Sequence, residues 1–278
     1  MVSTAIGCGE VNEVLEQLTE ARRLAADLLV QFTKAADAAN RAVMADTDDA
    51  SVAFAREADQ ATQAVQRDTN ALKAILVSLG YSDETHTLEE FESAYVKYQE
   101  LDRTILGLAV ENTNLKAQRL SFGPAQEAVD AFRNSLEAVA PSAPADNWRV
   151  KALVATAIAA VREIQVLQAP HIAEADEAAM SGLEKRMATA QAAARSALET
   201  LASLVRPASR QELAAATATL DRFIGLNTQI IALSQRNTNV RSLALSLDQK
   251  RTLTAACENS LHALRDALAK RGFSGTRR

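Results

Sequence analysis

Asn-Thr-Asn occurs twice, at 112–114 and 237–239, and of all the motifs in the chain its residue types and spacing come closest to chemistry. Ile105, Leu108, Asn112 and Leu115 advance by three and four, and so do Ile230, Leu233, Asn237 and Val240. On a helix, each first asparagine therefore falls on the apolar stripe. A buried amide is costly unless both of its ends find partners. Two uses meet that condition. One is a register device, a polar residue in a core position that fixes how helices align. The other is a ligand site, in which Asn112, Asn114, Asn237 and Asn239 reserve hydrogen bonds for a small polar molecule between helices. Lys116 and Arg241, four residues after the first asparagines, would supply positive charge for a carboxylate. Arg119 falls on the stripe of the first copy, but its counterpart is Ala244, so the two copies would differ as sites.

Catalytic chemistry has little to work with. The three histidines, His86, His171 and His262, sit in no Glu-x-x-His motif of the kind that builds di-iron bundles. No Gly-rich phosphate loop, nucleophile elbow or HExxH is present. Each histidine reads as a solvated or capping residue, and no catalytic residue, metal site or cofactor is expected. Cys8 and Cys257 are far apart and have no ligand spacing. With 35 acidic against 30 basic residues, a net charge of −5 and no basic cluster on one face, a nucleic-acid partner is not indicated.

The elements that must position these residues are helices. The 278 residues include 57 alanines against 9 glycines and 5 prolines. Alanine is the strongest helix former, and glycine and proline are the weakest. Val11, Leu18, Ala25, Phe32 and Ala39 recur every seven residues, with Val14, Ala21, Leu28 and Ala35 three further on, which is an a/d seam. It predicts a first helix to about Met44. A second covers roughly 48–79 and ends at Gly80. A third starts after a Thr87–Glu90 capping box and runs to about Leu120. A short fourth spans about 124–140. Low aromatic content, 4%, argues against a large aromatic core.

Shifting the chain by 125 superimposes Leu101, Ile105, Leu108, the Asn-Thr-Asn, Leu120-Ser121 and Asn134-Ser135-Leu136 on identical residues, among them Leu226, Ile230 and Asn259-Ser260-Leu261. The expected fold is all-α: two tandem four-helix up-down bundles from an internal duplication of about 125 residues. The modules are expected at 1–140 and 148–278, joined by a Pro-rich linker at 141–147. No apolar run approaches the roughly 20 residues of a membrane span, and residues 1–9 lack the basic start of a signal peptide. The chain reads as soluble, either in its own right or as a soluble segment of a membrane protein.

Leu108–Phe122 (LAVENTNLKAQRLSF) and Leu233–Leu247 (LSQRNTNVRSLALSL) resemble the third-helix signature of four-helix-bundle sensor modules in bacterial chemoreceptors (methyl-accepting chemotaxis proteins) and sensor kinases. Val161–Met187 and Ala45–Asp59 resemble the junction of the first two helices in those modules. The resemblance implies a periplasmic sensing region between two membrane spans that are absent from this chain. It also implies a homodimer formed through the first helix, and a small-molecule or protein partner whose binding shifts helices. In tandem modules of this kind the helices can be shared between the bundles. The alternative class is a cytoplasmic helical interaction protein resembling flagellar export chaperones, which holds an amphipathic partner segment in an apolar groove.

Overall fold

The computed structural model describes residues 8–139 and 147–271, and no strand occurs among them. The protein is all-α. The helices are α1 (Cys8–Met44), α2 (Asp48–Leu79), α3 (Ser82–Glu111), α4 (Thr113–Leu120), α5 (Gln126–Val139), α6 (Trp148–Ala173), α7 (Glu177–Leu204), α8 (Arg210–Arg236), α9 (Thr238–Leu245) and α10 (Arg251–Lys270). π-helical turns at Ser121–Ala125 and Ser246–Lys250 join α4 to α5 and α9 to α10. The 125-residue offset thus recurs in the backbone as well as in the residues. Among the described residues, no helix is long and apolar enough to cross a membrane.

The chain packs as two units, but not those expected from the linker. One unit is Met1–Glu111 with Ser242–Arg278, and the other is Asn112–Arg241. The expected modules 1–140 and 148–278 are therefore not the packed units, and the expected linker falls almost wholly outside the described residues. The physical reason is where each stripe finds its partner. The stripe of α5 (Ala128, Phe132, Leu136, Val139) joins the core of α6, α7 and α8. The matching stripe of α10 (Cys257, Leu261, Leu264, Leu268) joins that of α1, α2 and α3.

In the first unit the seam of α1 is buried from Leu18 through Ala39, while Val14 is exposed. Against it α3 turns Leu88, Phe91, Tyr95, Tyr98, Asp102, Ile105 and Ala109, all spaced by three or four and all buried. Phe32 contacts Phe91, Tyr95 and Tyr98 edge-on, with ring centroids 5.1–6.1 Å apart. Four aromatics converge here, so this unit does have an aromatic centre. Gly80 closes α2 at φ 67°, a left-handed conformation that glycine adopts without strain. Helix α3 begins at Ser82, and Thr87 bonds back to the Asp83 carbonyl inside it, so the expected capping box at Thr87 is not formed. The cause is that Asp83 and Glu84 already suit the first turn of a helix.

Arg22 of α1 ties the end of α10 to its own helix. Its Nε donates to the Leu268 carbonyl at 3.0 Å and its Nη2 to the Arg271 carbonyl at 2.6 Å. Leu268 lies in the last turn of α10 and Arg271 is its C-cap, where no intrahelical donor remains. Arg271 in turn makes a bidentate pair with buried Glu84, both N–O distances being 2.7 Å, and lies over the Tyr81 ring. The guanidinium holds the Glu84 carboxyl below its ordinary range against the opposing effect of burial. A depressed carboxylate supplies stability above its unfolded value and loses it as pH falls through the folded one. Glu84→Gln should therefore cost about 1–2 kcal/mol at pH 7, the half-exposed arginine moderating the loss. The difference between mutant and wild type in urea unfolding should shrink as the pH is lowered below 4.

Candidate functional site

Helix α3 stops at Glu111 because Asn112 is left-handed, at φ 50°, ψ 40°. Helix α8 stops at Arg236 because Asn237 is the same, at φ 52°, ψ 38°. Among the described residues these are the only non-glycine positions with positive φ. Asparagine is the non-glycine residue that tolerates this conformation best. The continuous helix expected to about Leu120 is thus broken at the first asparagine of its motif, and the second motif breaks the chain in the same way.

Each break starts a new helix whose first N–H groups lack intrahelical acceptors. Within Asn112–Arg241 the two motifs supply those acceptors to each other. The Thr113 N–H donates to Thr238 Oγ1 at 3.1 Å, and the Thr238 N–H to Thr113 Oγ1 at 3.2 Å. The Asn114 N–H donates to Asn239 Oδ1 at 3.1 Å, and the Asn239 N–H to Asn114 Oδ1 at 3.1 Å. The side-chain amides cross as well: Asn114 Nδ2 to Asn237 Oδ1 at 2.8 Å, and Asn239 Nδ2 to Asn112 Oδ1 at 2.9 Å. Every bond has its counterpart under exchange of the motifs, so the pair is a clamp with local two-fold symmetry. Each motif is the N-cap of the other's helix.

The clamp also closes the C-terminus of α6. Asn114 Nδ2 donates to the Ile172 carbonyl at 2.7 Å, and Asn237 Nδ2 to the Glu174 carbonyl at 2.8 Å. Ser234 Oγ donates to the His171 carbonyl at 2.8 Å. Pro170 lies inside its last turn.

Of the residues expected to meet a ligand, Asn112, Asn114 and Asn237 are buried. Asn239 is half-buried and, with Asn114, forms part of a groove of about 310 Å³ alongside Gln118, Phe122, Ala169 and Val240. Lys116 is half-buried, while Arg119 and Arg241 are exposed. Arg119 is therefore not on the buried face of α4, which carries Thr113, Asn114 and Ala117. The amides of Asn114 and Asn237 are engaged by protein groups at both ends; Asn112 Nδ2 is buried and has no hydrogen-bond partner.

Sequence reasoning missed His171. Far from solvated, it is fully buried, with Nδ1 2.9 Å from Ser234 Oγ and Nε2 2.9 Å from Glu184 Oε1. Gln235 Nε2 donates to the same Glu184 oxygen at 2.9 Å. One layer further into the core, Ser121 Oγ bonds Gln168 Oε1 at 2.7 Å, and Gln168 Nε2 donates to Asn227 Oδ1 at 2.9 Å. No local spacing signals these partners, which come from four different parts of the chain. Ser, His and Glu side by side invite comparison with a hydrolase triad, but Ser234 is fully enclosed and its proton is directed at a carbonyl.

The first unit has its own buried polar pair, Lys250 Nζ 2.6 Å from Asp102 Oδ1, with the Tyr98 ring 5.6 Å from the ammonium. Burial pushes the Asp102 carboxyl up, and Lys250 opposes that. Burial also pushes the Cys257 thiol up to about 12, which leaves it unreactive at neutral pH. Beside this pair, Val43, Met44, Leu243, Leu247 and Lys250 line a groove of about 420 Å³. Among the described residues, no three His, Cys, Asp or Glu side chains converge as metal ligands. Comparison with protein-family models, curated proteins and solved structures finds no match.

Proposed function

We propose that this chain is the non-enzymatic sensory region of a chemoreceptor-like or sensor-kinase-like protein that recognises a small polar molecule or a partner protein between helices. The carrying observation is that Arg22 of α1 holds the last turn of α10. The first and last described helices are thereby held side by side, so a displacement of one against the other is a natural output. Helices on heptad seams shift by an ångström or two between discrete packings, and a ligand biases one packing only through its differential affinity. The 125-residue recurrence of the left-handed asparagines and the π turns supports an origin by internal duplication. With its core amides mutually engaged, the clamp serves first as the register device. A small ligand is best accommodated in the adjoining groove, where Gln118 is exposed and Asn114 and Asn239 form one wall.

The test is a thermal-shift screen of the purified chain against organic acids, amino acids, amines and nitrogen oxyanions. A ligand at one hundred times its dissociation constant should stabilise by about 2.7 kcal/mol. Ala169→Trp, which fills the groove from an exposed position, should abolish the shift without lowering basal stability. A screen with no hit would count against small-molecule sensing.

A second reading has one observation in its favour. Met44 and Leu247 are 70% and 63% exposed at the rim of the groove in the first unit. An open apolar groove of that kind suits an amphipathic helix, as in an export chaperone.

A further inference from the structure

Helix α6 is apolar on two opposite faces. Inward it turns Val150, Val154, Val161, Ile164 and Leu167 into the core of its unit. Outward, Ala152, Ala155, Ala159, Val166, Ala169 and Ala173 fall at helical spacing on one side, and all are exposed, Val166 to 70%. A helix that is apolar all round is ordinarily a covered one. The charges along the same helix are ordered rather than scattered. No Lys, Arg, Asp or Glu occurs between Lys151 and Arg162, or between Glu163 and Glu174. The start carries Arg149 and Lys151, the centre holds Arg162 beside Glu163, and the end runs into Glu174 and Asp176.

We infer that this outer face is an interface between two copies of the chain, packed α6 against α6 in antiparallel fashion about a two-fold axis between Arg162 and Glu163. Stepping outward equally from that point pairs Ala159 with Val166, Thr156 with Ala169, Ala155 with Pro170 and Ala152 with Ala173 of the other copy, every one of them exposed. The next steps pair Lys151 with Glu174 and Arg149 with Asp176, so each basic start meets an acidic end. At the axis Arg162 meets Glu163. A two-fold interface must be self-complementary, and this order of charges is self-complementary in one direction only. Parallel pairing would set like charges against each other at both ends, which selects against it. The homodimer expected from the sequence would instead form through the first helix, α1.

From Ala152 to Ala173 the strip is about 32 Å long and about 10 Å wide. That is well short of the roughly 800 Å² per partner of a standard interface. Helix α7 therefore contributes through a groove of about 540 Å³ that Thr156 and Ala159 share with Thr189, Ala190 and Ala193. Side chains this small let a second helix approach closely. The central charges are already oriented, Arg162 lying 3.2 Å from Asp130 and Glu163 3.3 Å from Arg186. A modest area and partly exposed charges make the association reversible, with a dissociation constant on the order of 10 µM and a dependence on salt.

Sedimentation equilibrium of the purified full chain, at concentrations up to twentyfold above that value, tests this. A dimer should form, and raising salt from about 0.05 to 0.5 M should weaken it at least threefold. Val166→Glu, at a position exposed in the single chain, should leave the thermal midpoint in place and weaken the dimer at least tenfold, because the two-fold axis buries the new charge twice. Val30→Glu, likewise exposed but on α1, should leave the dimer intact. Oxidation then reads the orientation. In a Cys8→Ser background, Thr156→Cys combined with Ala169→Cys should give a covalent dimer. Thr156→Cys alone should not, since its two copies would lie about 20 Å apart along the helices. A chain that stays monomeric, a dimer that Val30→Glu dissolves and Val166→Glu does not, or a covalent dimer from Thr156→Cys alone would each overturn the inference.

Discussion

Lys250→Met should lower the unfolding free energy by about 3–5 kcal/mol, because it leaves Asp102 buried without its counter-charge. The two side chains are only 2% and 6% exposed, so water cannot replace the lost partner cheaply. The double variant Asp102→Leu/Lys250→Met should recover most of that loss and even exceed wild type, since apolar replacements of buried pairs are neutral or stabilising by about 1–4 kcal/mol. The pH dependence carries its own sign. Burial raises the Asp102 carboxyl and Lys250 holds it down. A carboxyl whose folded value is raised contributes stability at low pH that is lost as pH rises. The single variant should therefore approach wild-type stability at pH 5 and fall away from it by pH 8. Urea unfolding across that range checks both statements. A loss under 1 kcal/mol at pH 8 would mean the pair is not the closed ion pair described.

The second large effect is expected at the clamp. Asn237→Ala removes the acceptor of Asn114 Nδ2 and the donor to the Glu174 carbonyl. It also forces a Cβ-bearing residue without a polar side chain into the left-handed conformation, at about 1–2 kcal/mol. Together these should cost about 3–5 kcal/mol, counting about 1–3 for each buried group left unpaired. Asn237→Gly loses the same bonds and keeps the conformation, so it should be the milder change by about 1 kcal/mol. Combining Asn237→Ala with Asn114→Ala should cost clearly less than the sum, because the two share a bond and one network. Strict additivity in a double-mutant cycle would show that the reciprocal bonds are not formed in solution.

Much of the helix pattern was legible in particular residues. The heptads of α1, the αL glycine at position 80 and the break after Met44 all state their structure locally. The motif was legible as unusual, since two amides sat where apolar residues belong. Its geometry was not legible. The apolar spacing of three and four continues straight across Asn112 and Asn237, and the bonds that stabilise the breaks come from 125 residues away. His171 was hidden for the same reason, with partners 13 and 63 residues distant. The unit boundary was misplaced because α5 and α10 carry the same apolar stripe around a shared segment: Asn134-Ser135-Leu136 matches Asn259-Ser260-Leu261. Two helices with one stripe fit either core on pattern alone, and only the three-dimensional packing distinguishes them.

That exchange of fourth helices sets an order of events on the ribosome. Residues 112–241 are contiguous and can close their core as soon as α8 has emerged. The unit that begins first must finish last, since α1, α2 and α3 wait for α10 with Phe91, Tyr95, Tyr98 and Asp102 uncovered. The cost of bridging so long an interval grows only slowly with its length, so the burden falls on time and not on final stability. Through that interval the nascent chain carries an open aromatic trough, which makes this unit the point of greatest exposure to aggregation and to holding chaperones.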